Sequence, residues 1–156
     1  MKGKVEVLKV LQGALTEELG AAHEYILHAE MCENWGYKAI AGLTRTRAIE
    51  EMRHAEKLME RILYLEGMPD VETMPKITPG TDVEKQFSAA LKSEQEAITT
   101  YNSGIALCRK SGDDGSADLL RANLHDEERH ADFLETQLGL IKELGLANYL
   151  AQKMEE

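Results

Sequence analysis

The sequence predicts an all-α fold: a four-helix bundle with a long crossover between helices two and three and a short fifth helix at the C-terminal end. Two observations predict it. Apolar residues recur at spacings of three and four along four stretches of nearly thirty residues, and nowhere do they alternate at two for long, as strands would require. All three prolines fall between residues 69 and 79, so nothing elsewhere forbids helix.

The breakers set the boundaries. Asn34-Trp35-Gly36, Gly67-Met68-Pro69, Pro79-Gly80 and Gly112-Asp113-Asp114-Gly115 are stop signals, leaving helices over residues 5–34, 37–66, 82–110 and 116–144. The first carries a stripe of Leu8, Leu11, Leu15, Leu19, Ala22, Ile26 and Ala29. The second carries Ile40, Leu43, Ala55, Leu58, Ile62 and Leu65. Val83, Phe87, Leu91, Ile98, Tyr101 and Ile105 line the third, whose start reads as a capping box at Thr81-Asp82-Val83-Glu84. Leu120, Leu124, Ala131, Leu134, Leu138 and Ile141 line the fourth. Each helix is ~45 Å long at ~1.5 Å per residue. Residues 67–81 can stretch ~50 Å at ~3.3 Å per residue. A connection that long predicts a crossover running the full height of the bundle, with helices two and three parallel. Beyond Gly145, residues 146–153 place Leu146, Tyr149 and Leu150 on one face of a short helix. The bundle is complete without it, so it is expected to cover a neighbouring subunit.

Composition excludes several classes. The 156 residues are one domain's worth of chain (1–156), and 43% hydrophobic residues are too many for disorder. A net charge of −10 argues against nucleic acid or an anionic membrane as partner and favours cations. No apolar run approaches ~18 residues, and Met1-Lys2-Gly3-Lys4 leads into no apolar signal segment. Cys32 and Cys108 stand alone. A cytoplasmic protein with two inert thiols is the expectation.

Shifting the chain by 76 residues overlays the first hairpin on the second without a gap. Ala14, Leu15, Glu18, Ala21 and Tyr25 meet Ala90, Leu91, Glu94, Ala97 and Tyr101; Glu51, Arg53, His54, Ala55 and Leu58 meet Glu127, Arg129, His130, Ala131 and Leu134. Approximate twofold symmetry follows, and the retained residues include four glutamates and two histidines. Glu18 and Glu94 interrupt apolar stripes. Glu51 with His54, and Glu127 with His130, sit at i and i+3 and point one way. Four carboxylates and two imidazoles would therefore meet in the interior near mid-height, with no Lys or Arg facing them. Buried like charges cost several kcal/mol each unless paired, roughly. Two divalent or trivalent cations would supply the missing charge; oxygen and imidazole donors without thiolate suit iron or manganese, with zinc open. His23, His28 and His125 lack an inward carboxylate partner and read as surface histidines. Glu17, Glu50, Glu96 and Glu128 read as solvated, and Tyr25 and Tyr101 as core residues whose hydroxyls bond a ligand.

One Glu from each of two helices plus a Glu-x-x-His from each of the others is the ligand set of ferritin-like di-iron proteins. Tyr25, Asn34-Trp35-Gly36, Glu60-Arg61-Ile62-Leu63, Leu65-Glu66-Gly67 and Gly145-Leu146-x-Asn148-Tyr149-Leu150 add to this a resemblance to bacterioferritin over the whole chain. The resemblance implies iron storage in a 24-subunit shell and oxidation of Fe(II) by O₂ or peroxide. It implies Glu18, Glu51, His54, Glu94, Glu127 and His130 as catalytic iron ligands, Glu51 and Glu127 bridging. It also implies haem b shared between twofold-related subunits with Met52 as axial ligand, and a ferredoxin partner that reduces the haem.

The residues add a weaker argument for the haem. Met52 sits ~100° around the helix from Glu51, away from the core. Ile49, Met52 and Met59 form a second apolar stripe on helix two, and Leu19, Ile26 and Met31 offer apolar surface on helix one, as at a subunit interface. Arg45 and Arg53 could reach haem propionates or pair with Glu56 or Glu60. A departure concerns the inner-wall iron site of some members, a His and an Asp on helix two: the matching positions hold Thr46 and Glu50, with Arg47 between. The competing readings are a rubrerythrin-like di-iron peroxidase, whose usual Cys₄ iron domain two lone cysteines cannot build, and a haem-binding electron carrier with a structural metal.

Overall fold

The computed structural model describes residues 1–154. Five helices follow in order: α1 (Val5–Trp35), α2 (Lys38–Tyr64), α3 (Val83–Lys110), α4 (Asp114–Leu144) and α5 (Leu146–Ala151). No strand occurs among the described residues, and none of their helices is long and apolar enough to cross a membrane. The fold class is the four-helix bundle that the periodicity predicts.

Helix ends show how the breakers act. Gly36 closes α1 in the left-handed conformation, φ 90°, where a Cβ would be strained. At the end of α2 the left-handed residue is Glu66, φ 62°, although a glycine follows it. Gly67 is needed for another reason: a Cβ there would fall 2.8 Å from Leu8 Cδ2 and 2.9 Å from Ile62 Cγ2. The cap of α3 is Asp82, whose Oδ1 accepts from the Lys85 amide at 2.8 Å, one residue later than the expected Thr81. Helix α4 starts two residues before the predicted 116. Asp113 caps it, and Arg61 of α2 donates to the same carboxylate at 2.8 Å.

The crossover climbs α1. Asp70 exchanges backbone hydrogen bonds with the Gln12 amide, Gly20 approaches Pro75 so closely that a Cβ would fall 2.4 Å from its Cγ, and the Gly80 N–H donates to His28 Nε2. The chain thus returns to the starting height of α2 before α3 begins, so α2 and α3 run parallel. Helices α1 and α2 pair as one hairpin and α3 and α4 as the other, joined through α1 against α3 and α2 against α4.

Two apolar clusters fill the bundle. The lower contains Leu11, Leu15, Leu58, Ile62, Tyr101 and Leu120. The upper contains Tyr25, Ile40, Phe87, Leu134, Ile141 and Tyr149, the last brought in by α5. Ile26 and Leu43, expected on the core stripes, are exposed. They sit at the flanks of their stripes, where a four-helix bundle has no further neighbour to cover them. Between the clusters lies a polar layer.

Candidate metal centre

Glu18 from α1, Glu51 and His54 from α2, Glu94 from α3, and Glu127 and His130 from α4 converge in that layer, each at most 2% exposed. They form two overlapping groups. Glu18, Glu51, His54 and Glu127 make one, and Glu51, Glu94, Glu127 and His130 the other; within each, the candidate ligand atoms lie within 4.8 Å of one another. Glu51 and Glu127 belong to both. The i, i+3 spacing on α2 and α4 aims each Glu and His from one helical face, and the two imidazoles stack at 6.3 Å.

The inward nitrogens crowd against carboxylates. His54 Nδ1 lies 2.9 Å from Glu127 Oε1, 3.4 Å from Glu51 and 3.5 Å from Glu18. His130 Nδ1 lies 2.8 Å from Glu51 Oε1 and 3.4 Å from Glu94. Yet neither nitrogen has a partner in hydrogen-bonding geometry, nor do Glu18 Oε2, Glu94 Oε2, Glu127 Oε1 or either oxygen of Glu51. Buried polar atoms without partners are costly, and this many oxygen and imidazole atoms facing one point could hold a metal ion.

The outward nitrogens are tied down. His54 Nε2 lies 2.8 Å from Asp126 Oδ2, and His130 Nε2 lies 2.7 Å from Glu50 Oε2. With Nε2 carrying the proton toward a carboxylate, Nδ1 is left to face the centre. Sequence reasoning missed Asp126 and left Glu50 in solvent. The available signal was the repeat itself, because Glu50 and Asp126 are also 76 residues apart. Glu17 is another correction: it is half-buried and accepts from Thr100 Oγ1 at 2.8 Å, whereas Glu96 and Glu128 are exposed as expected. Each tyrosine bonds a glutamate of the opposite hairpin, Tyr25 to Glu94 at 2.6 Å and Tyr101 to Glu18 at 2.5 Å.

In the metal-free centre, protons stand where cations would. Burial, then the charge of Glu18, pushes Glu51 up to about 7. Burial, then the contact with Glu127, pushes Glu94 up to about 8. Glu18 is raised by burial as well. Burial alone would lower the histidines, but the carboxylates win: His130 rises to about 10 through Glu51 and Glu94, and His54 rises through Glu127, Glu18 and Glu51. A cavity lined by Glu17, Glu24 and Glu96 leads from beneath Pro75–Ile77 to Glu18, Glu51, Glu94 and Glu127.

Other predicted residues fall elsewhere. His23 and His125 are exposed, but His28 is buried, its Nε2 accepting from Gly80, because the crossover covers this face of α1. Cys32 and Cys108 are both buried. Met52 is 36% exposed and lines an open apolar groove with Ala22, Ile26, Ala48 and Ile49. Met59 and Leu19 turn instead into the lower cluster, since their positions face the bundle. Arg45 pairs with Glu30 rather than with Glu56 or Glu60. Thr46 donates to the Gly42 carbonyl of its own helix, and Glu50 is held by His130 and Arg47.

Comparison with known proteins identifies the family. The ferritin-like domain family matches residues 8–144. A bacterioferritin of Mycobacterium leprae is 43% identical over 152 residues, covering 97% of this chain and 96% of the relative. Bacterioferritins of Brucella melitensis (42% over 149 residues, 96% and 92% covered) and Streptomyces coelicolor (41% over 156 residues, 100% and 93% covered) are similar as well. The match runs through all four long helices, and the chain belongs to the ferritin-like family and, within it, to the bacterioferritins.

Proposed function

We propose that this protein stores iron by acting as a ferroxidase. The observation that carries this reading is the pair of overlapping ligand groups sharing Glu51 and Glu127. Two Fe(II) ions are the substrate. Glu51 and Glu127 bridge them, Glu18 and His54 complete one half, and Glu94 and His130 complete the other. Each Fe(II) gives up one electron. The two electrons and two protons convert O₂ to hydrogen peroxide, or peroxide to two waters.

The chain's part is electrostatic and geometric. Anionic oxygens stabilise Fe(III) over Fe(II), so they favour oxidation once the metals are in place. Tyr25 and Tyr101 hold Glu94 and Glu18 through one oxygen each and leave the second oxygen free. The acidic cavity beneath the crossover attracts cations to the centre.

Haem b is tested by the groove around Met52. Apart from His23 its lining is apolar, and the Met52 thioether is partly exposed, which would fit a flat apolar ring and a soft ligand. Met52 from each of two twofold-related subunits would hold the haem, which supplies one-electron transfer. A 24-subunit cytoplasmic shell built from such dimers, and a ferredoxin that reduces it, complete the proposal. Oxygen consumption on adding Fe(II), in the wild type and in Glu51→Ala, tests the activity: uptake that persists unchanged in the variant contradicts it.

A further inference from the structure

The approximate twofold symmetry of the centre breaks at the carboxylates behind the histidines. Glu50 Oε2 is used twice: it faces His130 Nε2 at 2.7 Å and accepts from Arg47 Nη1 at 3.0 Å. Arg47 is only 19% exposed and lies over the Phe133 ring at 5.7 Å. Asp126 divides its contacts. Oδ2 faces His54 Nε2 at 2.8 Å, while Oδ1 faces Arg129, which is 64% exposed.

We propose that the two halves of the centre fill in order, the Glu18–His54 half first, because Asp126 supports His54 more strongly than Glu50 supports His130. The physical cause is competition for one oxygen. A guanidinium on the same oxygen draws electron density from the bond to His130, and its partial burial leaves that pull poorly screened. Arg129 acts on the other oxygen of its carboxylate, from solvent, where an ion pair is weak. An imidazole whose outer N–H meets a more anionic acceptor is a stronger donor at its inner nitrogen. Asp126, Glu50 and Arg47 are thus positioning residues: none belongs to the ligand groups, and each acts through a histidine. The symmetry mate of Arg47 in the repeat is Asn123, which carries no charge, so the imbalance is written into the sequence.

The inference rests on the two-cation reading of the centre, and one experiment separates the two. Metal-free crystals are soaked with Co(II) at one equivalent per subunit, and anomalous scattering gives the occupancy of each half. Cobalt concentrated several-fold in the Glu18–His54 half is the expected result. Arg47→Gln, which releases the shared oxygen of Glu50, should raise occupancy of the other half toward equality. Asp126→Asn should lower the first half by roughly ten- to a hundredfold in affinity, the usual effect of losing such a partner. A gain of binding in Arg47→Gln is not something a merely structural arginine would give. Equal occupancy in the wild type, a fuller Glu94–His130 half, or no response to Arg47→Gln overturns the inference. Cobalt in neither half overturns the two-cation reading along with it.

Discussion

The hydroxyl of Tyr25 on α1 donates to Oε1 of Glu94 on α3 at 2.6 Å, so a residue of the first hairpin orients a glutamate of the second. Tyr101 on α3 does the same for Glu18 on α1. The pseudo-twofold axis exchanges these contacts, and each hairpin is needed to complete the other. The pairs differ in one respect: Tyr101 Oη also accepts from Asn123 Nδ2 at 3.2 Å.

That difference sets the first prediction. Tyr25→Phe leaves one buried carboxylate oxygen without its donor, a loss of about 1–3 kcal/mol. Tyr101→Phe strands Asn123 as well and should cost more. Thermal denaturation of the metal-free variants checks the order; equal losses, or a larger loss in Tyr25→Phe, count against it.

A second expectation concerns Glu51, one of the two glutamates common to both groups. Glu51→Ala should abolish rapid Fe(II) oxidation while circular dichroism remains wholly helical. The metal-free variant should melt lower than the wild type, because the buried His130 imidazolium loses the Glu51 carboxylate 2.8 Å away. A wild-type oxidation rate would contradict the assignment.

Much of this was legible in the sequence, for identifiable reasons. Proline placement and the three-four periodicity located every helix, and the length of residues 67–81 led to a parallel α2 and α3. The six inward residues could be found because an ionisable group inside an apolar stripe is conspicuous. Glu50 could not be found that way. It neighbours Glu51 at a position that helical geometry turns aside, and only the crossing of α2 and α4 brings it to His130. His28 escaped for a similar reason, since the strap that buries it reaches it through Gly80, 52 residues along the chain, rather than through local pattern. Thr81 and Asp82 are both good caps; the capping-box pattern pointed to Thr81, and the helix instead starts on Asp82.

Metal loading should release protons. At pH 7 the raised Glu94 and both imidazoles still hold theirs, and a bound cation displaces them, more than about two per subunit. Isothermal titration with Zn(II) in buffers of different ionisation enthalpy measures the number. The same shifts fix a sign for stability. Groups that hold protons more tightly when folded contribute less as pH rises, so between about 6.5 and 8 the metal-free protein should lose melting temperature. Zn(II) should reverse the loss.

His28 shifts the opposite way. Burial pushes it down to about 4, so it is neutral while accepting from Gly80. A histidine lowered on folding adds stability that is present above its ordinary value and is lost as pH falls from about 6.5 toward 4. Glu24 Oε1, 4.0 Å away, only partly offsets the positive charge. His28→Gln keeps an acceptor for Gly80 without titrating, so its melting temperature should fall less steeply with acid. An identical acid slope in the two proteins would remove His28 from the explanation.

The central claim is that one centre per subunit takes two Fe(II) ions between Glu51 and Glu127 and oxidises them together. Stopped-flow absorbance of metal-free protein mixed with increasing Fe(II) in aerobic buffer tests it most directly. The account predicts a rapid phase whose amplitude saturates at two Fe(II) per subunit and is lost in both Glu51→Ala and Glu127→Ala; saturation at another ratio, or a rapid phase surviving in either variant, would contradict it.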